Sequence, residues 1–147
     1  MVKVLDLLAR VVDPEIPTLN ISELGILRGV ESVGERVVVT VTPTYSGCPA
    51  MDWIKTEIRR VLEKAGVSEV EVRTTYFPPW SSAWISEVGR KKLAEAGIAP
   101  PDGFERAGCP HCGATTPRVV SEFGSTACKA LMVCASCGEP FHLFKEL

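Results

Sequence analysis

RVVVTVTPTYSGCPAMDWIKTEIRRVLEKAG, residues 36–66, changes its hydrophobic period halfway along. Arg36 to Thr42 is β-branched at nearly every position, which suits a central strand. From Pro49 onward Ile54, Ile58, Val61, Leu62 and Ala65 fall on one helical face, and Gly66 follows as a stop. A central strand that runs into an amphipathic helix points to an α/β domain. The join, TPTYSGCPAM at 42–51, contains a cysteine. Pro49 fits the first helical position, so Cys48 is the expected N-cap. Ser, Thr, Asp and Asn are favoured there, and a cysteine in their place needs a reason. Unpaired amides and the positive end of the helix dipole stabilise a thiolate and lower its pKa. On these residues alone, a functional thiolate competes with a small buried apolar side chain.

The flanks extend the pattern. Val4, Leu7, Leu8 and Val11 recur at helical spacing and predict a first helix, ended by Asp13-Pro14. Residues 13–25 read as a loop with two prolines. Strands are expected over 26–32 and 70–76, with a tight turn at Gly34. After FPPW comes a helix over 81–96. The result is a two-layer α-β-β-α-β-α domain over 1–100, of class α/β (α+β). Asp13 and Glu15 flank Pro14, where two carboxylates either steer iron or a partner's basic side chain or are simply solvated. Trp80 and Trp84 read as core or interface anchors.

Residues 101–107 read as a linker and 108–147 as a second, cysteine-rich module. Cys109-x-x-Cys112 and Cys134-x-x-Cys137 stand 21 residues apart, each followed by glycine. Two such pairs close a tetrahedron of thiolates, the spacing of a zinc ribbon. A closed four-thiolate site leaves no position for water, so the expected zinc is structural; iron or an iron–sulfur cluster on the same thiolates is the alternative. Cys128 has no partner at knuckle spacing and is expected in a strand, packed near the ribbon core. His111 is expected to face solvent, and His142 is an unneeded fifth ligand. Phe123, Phe141 and Phe144 are expected in the ribbon core.

Composition narrows the function. The 147 residues are 46% hydrophobic and 23% charged, enough for a packed core. The net charge of −2 gives no general pull toward nucleic acid or anionic membrane. The second module balances Arg118, Lys129 and Lys145 against Glu122, Glu139 and Glu146, without the basic stripe that phosphate backbones require. No apolar run is long enough to span a bilayer and no secretory leader is evident, so a cytoplasmic protein is expected. There is no paired nucleophile and histidine and no phosphate loop, which argues against a hydrolase.

Taken together, DPEIP (13–17), TYSGCPAM (44–51), PPWSSAWISEVGRKKLAEAGIAPP (78–101) and FGSTACKALMVCASCGEPF (123–141) closely resemble the PaaD family. The first 100 residues are also similar to SufT-like iron–sulfur maturation factors. The resemblance implies an assembly factor, not an enzyme, for the metal centres of phenylacetyl-CoA epoxidase in aerobic phenylacetate breakdown. Implied partners are the diiron component, the reductase with its flavin and plant-type cluster, and iron–sulfur carriers. Residue by residue, it puts the reactive thiol at Cys48 and acidic companions at Asp13 and Glu15. A transient iron or iron–sulfur cluster is the implied cargo, and a homodimer is one way to complete its ligands. A structural subunit of the oxygenase is the competing reading.

Overall fold

A computed structural model describes residues 2–44, 49–101 and 107–145. Two compact units emerge, Met1–Trp80 and Ser81–Leu147. Residues 81–100, read from the sequence together with the first domain, make their contacts in the second unit.

The first unit opens with helix α1 (Val2–Leu8) and an antiparallel pair, β1 (Val12–Asp13) and β2 (Ile16–Asn20). The loop expected at 13–25 is thus partly strand. Its prolines do not forbid this, because each strand of a two-stranded pair keeps one unpaired edge where no amide is needed; Pro17 lies exposed. Asn20 Oδ1 then accepts from the Glu23 amide at 2.8 Å and turns the chain toward β3.

Strands β3 (Leu27–Val33), β4 (Arg36–Val41) and β5 (Glu69–Thr74) form a sheet in that order. β3 and β4 are antiparallel; β4 and β5 are parallel and need a crossover, which helix α2 (Ala50–Lys64) supplies. Val37, Val38, Val39 and Val41 are all buried, as the β-branched run anticipates for a central strand. α2 packs on α1 and β5, burying Met51, Ile54, Ile58 and Leu62. These positions repeat every three or four residues, the spacing of one helical face. The helix ends with the Gly66 amide on the Glu63 carbonyl at 3.0 Å and the Val67 amide on Leu62 at 3.1 Å, a Schellman closure. Trp80 is buried and its indole N–H donates to the Leu24 carbonyl at 2.9 Å, so it anchors this unit.

The second unit begins with a 3-10 turn at Ser82–Trp84 and helix α3 (Glu87–Glu95), where one helix was expected over 81–96. Ser86 starts α3 by accepting from the Gly89 amide at 3.0 Å, while Ser81 caps the 3-10 turn through the Ala83 amide at 3.2 Å. Strands β6 (Ile98–Ala99), β7 (Pro117–Ser121), β8 (Lys129–Cys134) and β9 (Pro140–Phe144) follow. They form one sheet in the order β6-β9-β8-β7. The sequence order α-β-β-α-β-α is present, with β1, β2 and β6 added to it. Among the described residues, no helix is long and apolar enough to cross a membrane.

The α2 face gives a direct stability test. Ile58→Ala leaves a cavity where the side chain is fully buried and is expected to cost about 2–5 kcal/mol. A lower urea midpoint for Ile58→Ala, against little change for Arg60→Ala on the exposed face, is the expected result.

Candidate metal centre

The two CxxCG segments fold the same way. The Gly113 amide donates to the Cys109 carbonyl at 2.8 Å, and the Cys109 amide donates to Ala114 at 2.9 Å. In the second, Gly138 donates to Cys134 at 2.8 Å and Cys134 to Glu139 at 3.0 Å. Both turns close through a left-handed residue, Gly113 at φ +78° and Gly138 at φ +77°. A side chain there is strained, so glycine belongs at both positions. Each turn also points an amide at the first sulfur of its pair. His111 N–H donates to Cys109 Sγ at 3.4 Å, and Cys137 N–H to Cys134 Sγ at 3.5 Å.

The turns face one another, so all four sulfurs lie within 4.8 Å of each other. Cys109 Sγ and Cys137 Sγ are 3.7 Å apart, and Cys112 Sγ and Cys134 Sγ 3.6 Å. A tetrahedron with zinc–sulfur bonds of about 2.3 Å has edges of about 3.8 Å. The donor set therefore fits one tetrahedral metal ion without rearrangement. Cys109 and Cys134 are buried, and Cys112 and Cys137 exposed.

Crowding shows in the protons. The Cys137 amide, aided by the Ser136 amide and by the Cys112 and Cys137 thiols, brings the Cys134 thiol down to about 6 against the cost of desolvation. Its neighbours go the other way. The Glu139 amide favours a Cys137 thiolate, but desolvation and the sulfurs of Cys109, Cys134 and Cys112 outweigh it and hold that thiol up at about 12. For Cys112 the Ala114 amide is likewise outweighed, chiefly by Cys134 and desolvation, and the thiol is raised. Cys134 thus favours the thiolate while Cys112 and Cys137 resist ionising, and a bound cation would favour the thiolate at each.

The remaining sequence candidates are not members of this four-thiol group. Cys128 is buried, with its sulfur 3.1 Å from Thr126 Oγ1. His111 is exposed, with Nε2 3.3 Å from the Pro140 carbonyl oxygen. Phe141 and Phe144 are buried as expected, but Phe123 is 65% exposed, its ring 3.9 Å from the Lys145 ammonium. Asp13 is buried and its Oδ1 accepts from the Glu15 amide at 2.7 Å, pinning the β1–β2 turn; Glu15 is half-buried. Cys48 lies outside the described residues. Helix α2 starts at Ala50 with Pro49 as its N-cap, one residue later than expected, and no side chain caps it. The sequence reasoning passed over Gly124 and the burial of Lys129, although both lie in the FGSTACKA string it singled out.

Residues 98–145 match the family model described as PaaD zinc beta ribbon domain, and residues 2–72 that described as iron-sulfur cluster assembly protein. The chain is 43% identical over 146 residues to an Escherichia coli (strain K12) protein provisionally named as a subunit of 1,2-phenylacetyl-CoA epoxidase, spanning 95% of this chain and 88% of that one. It is 36% identical over 89 residues to an "Fe-S protein maturation auxiliary factor" of Porphyromonas gingivalis (strain ATCC BAA-308 / W83), over 59% of this chain and 84% of that protein. Among solved structures, a domain of unknown function, DUF59, from Bacillus anthracis matches with TM-score 0.58 and 32% identity, covering 62% of this chain and 88% of its own. A conserved hypothetical protein from Thermotoga maritima matches with TM-score 0.52 and 32% identity, over 61% and 89%.

Metal uptake is expected to release at least the protons of Cys112 and Cys137 at pH 7 to 8, since both are raised without the metal. Protons compete with the metal, so affinity falls as pH falls. Two protons give about a 100-fold loss per pH unit. Competition with a chromophoric chelator at pH 7 and pH 8 measures the slope.

Proposed function

We propose, from the premise that this chain belongs to the PaaD family, that it is a non-catalytic factor for maturing the metal centre of phenylacetyl-CoA epoxidase. One observation carries this reading. An iron–sulfur assembly-type domain and a four-thiol ribbon occur together in a chain 43% identical to a protein named as a subunit of that enzyme.

In this account Cys109, Cys112, Cys134 and Cys137 hold zinc. The closed set of four sulfurs leaves no position for water or substrate, so the metal fixes the ribbon and does no hydrolysis. The ribbon presents a docking surface for the client, the diiron component or the reductase of the oxygenase. Its place of action is the cytoplasm.

Cys48 is the proposed handling residue for iron or a cluster, with Asp13 and Glu15 as acidic companions. It directly precedes Pro49 at the uncapped start of α2, where free amides and the helix dipole favour a thiolate. Asp13 is held in place by the turn it caps. One thiolate cannot retain an iron–sulfur cluster, which takes four protein ligands. The cargo is therefore shared, across a homodimer or with cysteines of a carrier or client, and passes on by ligand exchange.

A second reading has one observation in its favour: the E. coli relative is named as a subunit. In that case the chain stays in the finished oxygenase at fixed stoichiometry, with Cys48 merely packed. Co-purification separates the two readings, because a factor is absent from the active mature enzyme.

Cys48→Ser is expected to leave the fold and the zinc content unchanged and to abolish maturation. The measurement is iron and sulfide content of the client reductase and diiron component, produced in cells carrying each variant. Normal client content with Cys48→Ser would falsify the assignment.

A further inference from the structure

The string FGSTACK, residues 123–129, takes no part in the four-thiol group, yet it ends in an unusual side chain. Among the described residues Lys129 is the one buried cation, only 5% exposed. Lysine is almost never this buried unless it is paired, because a desolvated ammonium without acceptors is costly. Among the described residues, no carboxylate lies within ion-pair distance of Lys129 and its ammonium makes no hydrogen bond.

His142 is a neighbour of Lys129. In the β8–β9 register Lys129 stands opposite Phe144 and Leu131 opposite His142, which puts Lys129 and His142 on one face, a diagonal step apart. The opposite face carries Ala130, Met132 and Cys134 into the ribbon core. The loop entering β8 closes onto the same place. The Gly124 amide donates to the Lys129 carbonyl at 2.7 Å. A Cβ on Gly124 would lie 2.8 Å from His142 Cδ2 and 3.2 Å from Nε2, so the imidazole occupies the space that glycine leaves. Burial and then Lys129 lower the pKa of His142, which keeps the ring neutral near pH 7 with one N–H to donate. The amides of Ser125, Thr126 and Ala127 make no hydrogen bond among the described residues. The adjacent acid, Glu122, is exposed and in no ion pair among the described residues.

We propose that Lys129, His142 and the 124–127 loop form an oxyanion site that takes a phosphate or carboxylate group of a small ligand. Among the described residues, an ammonium with no carboxylate partner, a neutral ring N–H and three loop amides with no backbone partner offer donors together. That is the chemistry an oxyanion completes. The site takes none of the four sulfurs, and it stands whether or not the maturation reading does.

The test is titration of the full-length, zinc-loaded chain with inorganic phosphate and, separately, with acetate, chloride holding the ionic strength constant. NMR of the His142 ring and of the 124–127 amides is the readout. Saturable shifts at those positions are expected with at least one anion. Phosphate favoured over acetate identifies a phosphorylated ligand, and the reverse a carboxylate. Lys129→Met is expected to weaken the response at least about tenfold, as loss of a charge-assisted bond does. Gly124→Ala, which displaces the imidazole, provides a second variant should Lys129→Met fail to fold. Absence of saturable shifts with both anions would overturn the proposal. So would an undiminished response in a folded variant, which would leave Lys129 as a stem packed for its methylenes alone.

Discussion

Four sulfur atoms within 4.8 Å of one another cannot all carry charge unless a cation sits between them. The second unit is built around that constraint. The cluster around the inner ligands is poor in large side chains: Ala99, Ala107, Ala130, Met132, Phe141 and Leu143, with Ala114 against it, and Cys109 and Cys134 as members. Packing of this size supplies little of the free energy needed to order four short strands. A structural zinc in small peptides contributes about 10–16 kcal/mol, enough to decide the matter. The same sulfurs thus complete the core and, in the proposed zinc form, hold it shut. The paired glycine turns are what let two distant stretches present their sulfurs in matching geometry.

The first unit rests on a different economy. β4 and β5 run parallel, so the chain must cross over through α2, and the burial of Ile54, Ile58 and Leu62 fixes that helix on the sheet. The carboxyl end of a parallel strand followed by a helix N-terminus is where α/β folds place their ligand chemistry. TPTYSGCP falls at this junction. Asp13 belongs to the β1–β2 turn and helps to hold it, so its substitution would disturb shape as well as charge. The proposed division of labour follows: one unit kept rigid by a resident metal, the other carrying the thiol that exchanges ligands.

Much of this was legible in the residues because the signals were strongly periodic. The valine run at 37–41, the α2 face and the CxxCG spacing each reflect one physical requirement, and the structure places all three where the sequence does. The hairpin of β1 and β2 was not legible, since Pro14 and Pro17 read as breakers, whereas Pro14 falls in the turn and Pro17 at an exposed position of β2. The split of 81–96 into a 3-10 turn and α3 depends on which serine caps, Ser81 or Ser86, and both carry suitable hydroxyls. Phe123 was misjudged because aromatic character alone does not separate a core residue from a ring that Lys145 covers in solvent. Lys129 was hidden for the converse reason: its charge argued for exposure, and only the register of β8 with β9 shows its stem enclosed.

The most direct test of the central claim is metal and sulfide analysis after anaerobic reconstitution with iron and sulfide, comparing wild type with Cys48→Ser. The account predicts one zinc in both proteins, with iron, and sulfide if a cluster is the cargo, bound by the wild type and lost in the variant. Zinc alone in both, or equal iron in both, would contradict it.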